Sequence, residues 1–477
     1  MLHAFDAGEW QGTEYSAGTG SELFAYIPSP VFRNLSGLTS LNYLYKPFVD
    51  VTPRASDVFI NGQWRTVLIG GLRGGGQGIY ALDVTDPDSI SESTAEQAVL
   101  WEFTDEHDPS VGFTFSSPII ARMANGKWAA IMSNGYNNAA VDVGYQQGEG
   151  GSSILIIDIE SGNLIRKLLP EDLSCQQNTV HANGPTEPTA VDLDGDRTVD
   201  RIYAGDLNGC VYAFDVSDSN PSQWTDGELK HEAVDDLNVR TPITTPIVVG
   251  SHPTGEGVML YFGTGKYLEP SDQMPNASRD RFYAVWDSDT FDASTRSRIS
   301  GGDMVAQSIL SVGNQDIDTD GDGTTDQTVQ VRMTSEHTID WNTDAGWYLD
   351  LEYDSLDRGE QVVAAPVLRD GKIFISTHIP SGDECSPEQN GWLMILDARS
   401  GAMLADSQID LDGDGERDDG IFGGINGISN SHASPTIIAA ENADILLTQT
   451  ATDTDITSAV VHTRFREGRL SWRELEP

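Results

Sequence analysis

The chain has 477 residues, ample for a large core, and sets 28 Lys and Arg against 74 Asp and Glu, a formal net charge of −46. A surface this acidic repels nucleic acid and anionic lipid and favours cations, and it also suits a salty habitat. Disorder is excluded by the 38% hydrophobic content and by strand-like patterns that recur from end to end.

In chain order, the first such pattern is Leu2-His3-Ala4-Phe5-Asp6. A glycine-rich run over 70–78 follows a strand at 66–69 and leads into another at 79–84. With no helix N-terminus to hold a phosphate, it reads as a turn between strands. Ile79-Tyr80-Ala81-Leu82-Asp83 repeats the opening pattern, and a short helix is expected over 93–99. Further copies are Leu155-Ile156-Ile157-Asp158, Val211-Tyr212-Ala213-Phe214-Asp215 and Phe282-Tyr283-Ala284-Val285-Trp286-Asp287. A second short helix is expected over 303–309. The last copies are Trp347-Tyr348-Leu349-Asp350 and Trp392-Leu393-Met394-Ile395-Leu396-Asp397. Aromatic and branched residues suit buried strands, and a terminal Asp caps the following turn by accepting backbone N–H bonds. These Asp residues are therefore structural. Seven copies, unevenly spaced and punctuated by Gly and Pro, predict an all-β chain of seven β-propeller blades with long insertions, in a single domain over 1–477.

Three loops place carboxylates at alternate positions. The first holds Asp192, Asp194, Asp196, Thr198 and Asp200; the second Asp318, Asp320, Asp322, Thr324 and Asp326; the third Asp410, Asp412, Asp414, Glu416 and Asp418. A tightly curled loop turns positions 1, 3, 5 and 9 inward, and the carbonyl at position 7 completes an all-oxygen set. That set suits Ca²⁺ better than Mg²⁺, which demands strict octahedral geometry. Without a cation the clustered carboxylates repel one another. Position 6 wants glycine for the sharp turn; Gly323 and Gly415 supply it, whereas the first loop has Arg197 there. None of the loops has Glu at position 12, so these are not EF-hands. The competing reading of each loop is a solvated turn.

Evidence for catalysis is thin. HExxH, GxSxG and P-loop motifs are absent, and the nine histidines, His181, His378 and His432 among them, are scattered. Cys175, Cys210 and Cys385 form no CxxC and allow one intrachain disulfide at most, with the pairing left open. No run of 18 apolar residues is present. Residues 1–6 read as a strand and not as a signal peptide, so the expectation is the C-terminal piece of a longer exported protein.

Residues 1–6, 24–29, 64–68, 78–87, 100–103, 134–136, 200–209 (DRIYAGDLNG), 262–267 and 470–475, with Cys385, resemble the type IV pilus tip-associated adhesins and biogenesis factors, the PilC/PilY family. The resemblance covers essentially the whole chain and corresponds to that family's C-terminal domain, a modified seven-bladed propeller with quinoprotein-like blades. It implies a non-enzymatic, exported protein at pilus tips and the outer cell surface. Such a protein acts in pilus biogenesis, twitching motility and adhesion, with pilin subunits and surface or host receptors as partners. It also places the family's regulatory calcium site on Asp192, Asp194, Asp196, the Thr198 carbonyl and Asp200. The family's variable N-terminal region and the strand leading into Met1 are not in the chain, which is expected to leave a sheet edge exposed. The rival is a quinoprotein (PQQ-type) dehydrogenase propeller; such enzymes carry adjacent cysteines beside the quinone, and no two cysteines here are adjacent.

Overall fold

Six strands begin immediately, or one residue, after a proline: Arg54–Ile60 after Pro53, Ile119–Arg122 after Pro118, Thr189–Val191 after Pro188, Val248–Ser251 after Pro246, Val367–Arg369 after Pro366 and Thr436–Ala439 after Pro435. In the computed structural model each of the six is the edge strand of its sheet. An edge is where a residue without an N–H breaks no ladder, so the prolines mark where each antiparallel run starts. The structure describes residues 1–8, 11, 16–42, 47–137, 151–171, 175, 183–273, 279–288, 304–318, 322–353, 359–380, 391–411, 420–426, 434–439, 444–449 and 456–461.

The protein is all-β, 45% strand and 8% helix. Its described strands form seven sheets of two to six strands. The chain divides into two compact units, Met1–Asp206 with Tyr212–Glu228, and Leu207–Val211 with Leu229–Pro477.

In the first unit, Leu2–Phe5 pairs with Glu22–Tyr26 as a two-stranded sheet. Arg54–Ile60, Gln63–Gly71, Gly78–Asp83 and Val99–Thr104 form an antiparallel meander. Ile119–Arg122, Trp128–Ser133, Ile154–Asp158 and Leu164–Leu168 form the next. Val58, Val67, Ile79, Phe103, Met132, Leu155 and Ile157 meet in their shared core. The glycine-rich run is the expected turn, closed by a single 3₁₀ turn at Arg73–Gly75. Ala95–Ala98 is the expected short helix.

In the second unit, Val248–Ser251, Val258–Gly263, Arg281–Asp287 and Gly346–Asp350 run antiparallel. The expected helix over 303–309 is not formed. Val305–Gln307 is instead a strand, parallel to Trp347–Leu349, and Ile309 opens the strand Ile309–Ile317. Pairing against the buried Trp347 outweighs a weak local helix preference. Two further sheets run Ile309–Ile317, Gln327–Thr334, Gly424–Asn426, Trp392–Asp397, Lys372–Ser376, Val367–Arg369, and Ile409–Asp410, Ile456–Val461, Asp444–Gln449, Thr436–Ala439; the seventh sheet of the chain runs Thr189–Val191, Arg201–Gly205, Cys210–Asp215, Glu228–Glu232.

Five of the seven strand-terminal Asp residues cap turns. Asp6 accepts from Gly8, Asp83 from Thr85, Asp158 from Glu160, Asp215 from Ser217, and Asp397 from both Arg399 and Ser400. Asp350 departs from that expectation among the described residues and is held by Arg281 at 2.6 Å, while Asp287 pairs with Lys230 at 3.2 Å. Arg65 and Lys127 also pair with Asp83 and Asp158.

One packing device occurs in both units. Trp101 lies over Gly162, at φ +70°, and its indole N–H donates to the Ile159 carbonyl at 2.8 Å. Trp347 lies over Gly401, at φ +69°, and donates to the Ala398 carbonyl at 3.1 Å. Each Trp comes from one sheet and seats on the turn that closes a strand of the next. This is why Ser-Gly follows the terminal Asp at those two places.

Candidate metal centre

The first acidic loop closes the hairpin between Thr189–Val191 and Arg201–Gly205, with Val191 registered on Arg201. Six hydrogen bonds shape it. The Asp200 N–H donates to the Val191 carbonyl at 2.9 Å. Asp192 accepts from the N–H groups of Gly195 (2.7 Å) and Arg197 (2.8 Å). Asp200 accepts from Leu193 at 2.7 Å. Asp196 accepts from both the N–H and the hydroxyl of Thr198, each at 2.7 Å. Arg197 occupies the left-handed region at φ 72°, the conformation expected of position 6.

The result is convergence. Asp192, Asp194 and Asp200 each offer a carboxylate oxygen, all within 4.8 Å of one another. Burial, then the charges of Asp194 and Asp192, raise the Asp200 pKa against the N–H bonds it accepts. An all-carboxylate, partly exposed oxygen set of this kind fits a hard cation such as Ca²⁺. Asp196 stands outside the trio: the Thr198 hydrogen bonds, side chain first, lower its pKa. The Thr198 hydroxyl was no part of the expected ligand set, yet it fixes where Asp196 points. The signal was a hydroxyl two residues after an Asp, a common local turn.

The second loop uses the same template between Ile309–Ile317 and Gln327–Thr334. Asp326 N–H donates to Ile317 at 2.9 Å, Gly323 N–H to Asp318 at 2.7 Å, and Thr324 to Asp322 through N–H (2.8 Å) and hydroxyl (2.5 Å). Gly323 sits at φ 84°. Asp320 lies outside the described residues. So do Asp412, Asp414, Glu416 and Asp418 of the third loop, together with His181, His432 and Cys385. Of the third loop only Asp410 is placed, buried at the end of Ile409–Asp410. Cys175 and Cys210 are disulfide-bonded, which removes both sulfurs as metal ligands.

An all-β chain of propeller sheets, with aspartate-rich loops closing its hairpins, defines the class. The family described as the PilY1 beta-propeller domain matches residues 1–319. The type IV pilus biogenesis factor PilY1 of Pseudomonas aeruginosa strain PAO1 is 32% identical over 443 residues, covering 86% of this chain and 35% of that protein. A PilY1 homolog of Xylella fastidiosa is 32% identical over 433 residues, covering 87% and 26%. The crystal structure of the P. aeruginosa PilY1 C-terminal domain superposes with a TM-score of 0.74 at 26% identity, covering 93% of this chain and 89% of that one. The chain belongs to the PilY1 β-propeller family. It spans about a third of the length of the Pseudomonas relative. Among the described residues no helix is long and apolar enough to cross a membrane.

Proposed function

We propose that this chain is the calcium-binding propeller of an exported type IV pilus biogenesis factor, working at the pilus tip and outer cell surface as a binding module and not as an enzyme. The observation that carries the reading is the convergence of Asp192, Asp194 and Asp200 within 4.8 Å in a member of the PilY1 family. With Asp196 and the Thr198 carbonyl they would hold Ca²⁺, which neutralises the gathered charge and stiffens the hairpin. The second and third loops are further calcium sites in this reading, the second on the strength of its matching template.

A cation biases pilus extension against retraction only if it binds one state more tightly than the other. The partners are pilin subunits and surface or host receptors, and the consequences fall on twitching motility and adhesion. The relatives are named as biogenesis factors, which supports a non-catalytic role.

Calcium titration of the chelator-treated chain by calorimetry tests this. Binding is expected in roughly the micromolar to millimolar range. One binding event should disappear in Asp194→Asn and a separate one in Asp322→Asn. Absence of binding in the parent chain returns the loops to solvated turns. Quinone absorbance in the purified protein would favour the dehydrogenase reading instead.

A further inference from the structure

The strands Arg54–Ile60 and Gln63–Gly71 are joined by Asn61 and Gly62, both at positive φ (51° and 76°), the two-residue turn that matches strand twist. Register sets Phe59 opposite Trp64 on the outward face. Phe59 is 48% exposed and Trp64 62%, with ring centroids 5.5 Å apart at 65°. Trp128, from the neighbouring sheet, stands 6.2 Å from Trp64. Two residues before Phe59, on the same face, Asp57 accepts a 2.7 Å hydrogen bond from the neutral Thr66 hydroxyl.

This face is held in place. Arg122 is registered on Trp128, and the Arg122 carbonyl accepts the Val199 N–H at 2.9 Å. The nearby cations are already matched, Arg65 to Asp83 and Lys127 to Asp158. Asp57 has no cationic partner among the described residues.

Clustered exposed aromatics mark an interaction site, and Trp is enriched where interfaces concentrate their energy. The faces of Trp and Phe attract cations. Asp57 adds a full negative charge to the same face of a chain whose net charge is −46. Acidic peptides and anionic lipid are repelled by such a surface. We propose that this face docks a basic segment of a protein partner, with a Lys or Arg side chain over Trp64 and Phe59 and its charge toward Asp57. The inference does not depend on any metal at the aspartate loops.

The test is an anisotropy titration of the intact chain with a labelled peptide of alternating Lys and Ser, and with its Glu-for-Lys counterpart. The Lys peptide is expected to bind and the Glu peptide not. Trp64→Ala leaves every charge in place and should weaken binding roughly tenfold. Trp64→Phe should retain most of the affinity, and Asp57→Asn should lose a few-fold. Unchanged affinity in Trp64→Ala, with the fold intact by circular dichroism, would reduce the attraction to bulk charge and overturn the proposal. So would equal binding of the Glu peptide or failure of the Lys peptide to bind.

Discussion

The N–H of Arg197 donates to Asp192 at 2.8 Å, the bond that Gly323 makes to Asp318 at 2.7 Å in the second loop. A bulky residue thus occupies the left-handed seat that glycine fills elsewhere, at φ 72° against 84°. Left-handed backbone costs a side-chain-bearing residue about 1–2 kcal/mol. Arg197→Gly should raise the unfolding free energy by up to about 1 kcal/mol, since glycine's extra freedom in the unfolded chain offsets part of the gain. Arg197→Val, with a stiff branched side chain, should lower it by about the same amount. Urea denaturation checks both; a more stable Val variant would refute the strain argument.

The Trp-over-Gly seat predicts a sharp contrast between two glycines. A Cβ on Gly162 would stand 2.6 Å from Cγ of Trp101, whereas Gly126, also at positive φ, faces open space. Gly162→Ala should cost about 2–4 kcal/mol, combining strain with overpacking. Gly126→Ala should cost only about 1 kcal/mol. Thermal denaturation of the two variants gives the comparison, and equal losses would mean the indole does not rest on that turn.

Arg332 and Glu360 form a buried two-pronged pair, each prong 2.7 Å, with exposures of 2% and 4%. The guanidinium also lies 3.9 Å from the centre of the Trp392 ring. Glu360→Gln leaves a buried charge unmatched and should cost about 3–5 kcal/mol. The double change Arg332→Met with Glu360→Leu should recover most of that loss, because it removes both charges. Chemical unfolding of the three proteins decides it; a double variant as weak as the single one would contradict the charge account.

His231 is buried against Phe262 and Tyr283, and neither ring nitrogen has a hydrogen-bond partner among the described residues. Burial lowers its pKa to about 4, below the unfolded value of 6.5. The unfolded chain therefore binds the proton more readily. The stability this neutral ring contributes is whole above pH 6.5 and is lost as pH falls from there toward 4, by roughly 3 kcal/mol. His231→Phe keeps the ring packing and removes the titration. Its stability advantage should grow on acidification from pH 7 to 5, measured by urea midpoints at each pH.

The sequence by itself determined what is local. Runs of aromatic and branched residues and Asp-turn chemistry set the strands ending near Asp83, Asp158, Asp215 and Asp397, because a short strand and its closing turn involve residues a few positions apart. The spacing of Asp192 through Asp200 was equally legible. Tertiary structure alone decided the rest. It made 305–307 a strand by supplying Trp347–Leu349 as a partner. It gave Asp350 to Arg281 rather than to a turn of its own. It gathered Asp192, Asp194 and Asp200 while the Thr198 hydroxyl drew Asp196 aside. It also set Trp128 beside Trp64, 64 positions away in the chain. These outcomes depend on which chain segments return to the same place, and composition and spacing carry no measure of that.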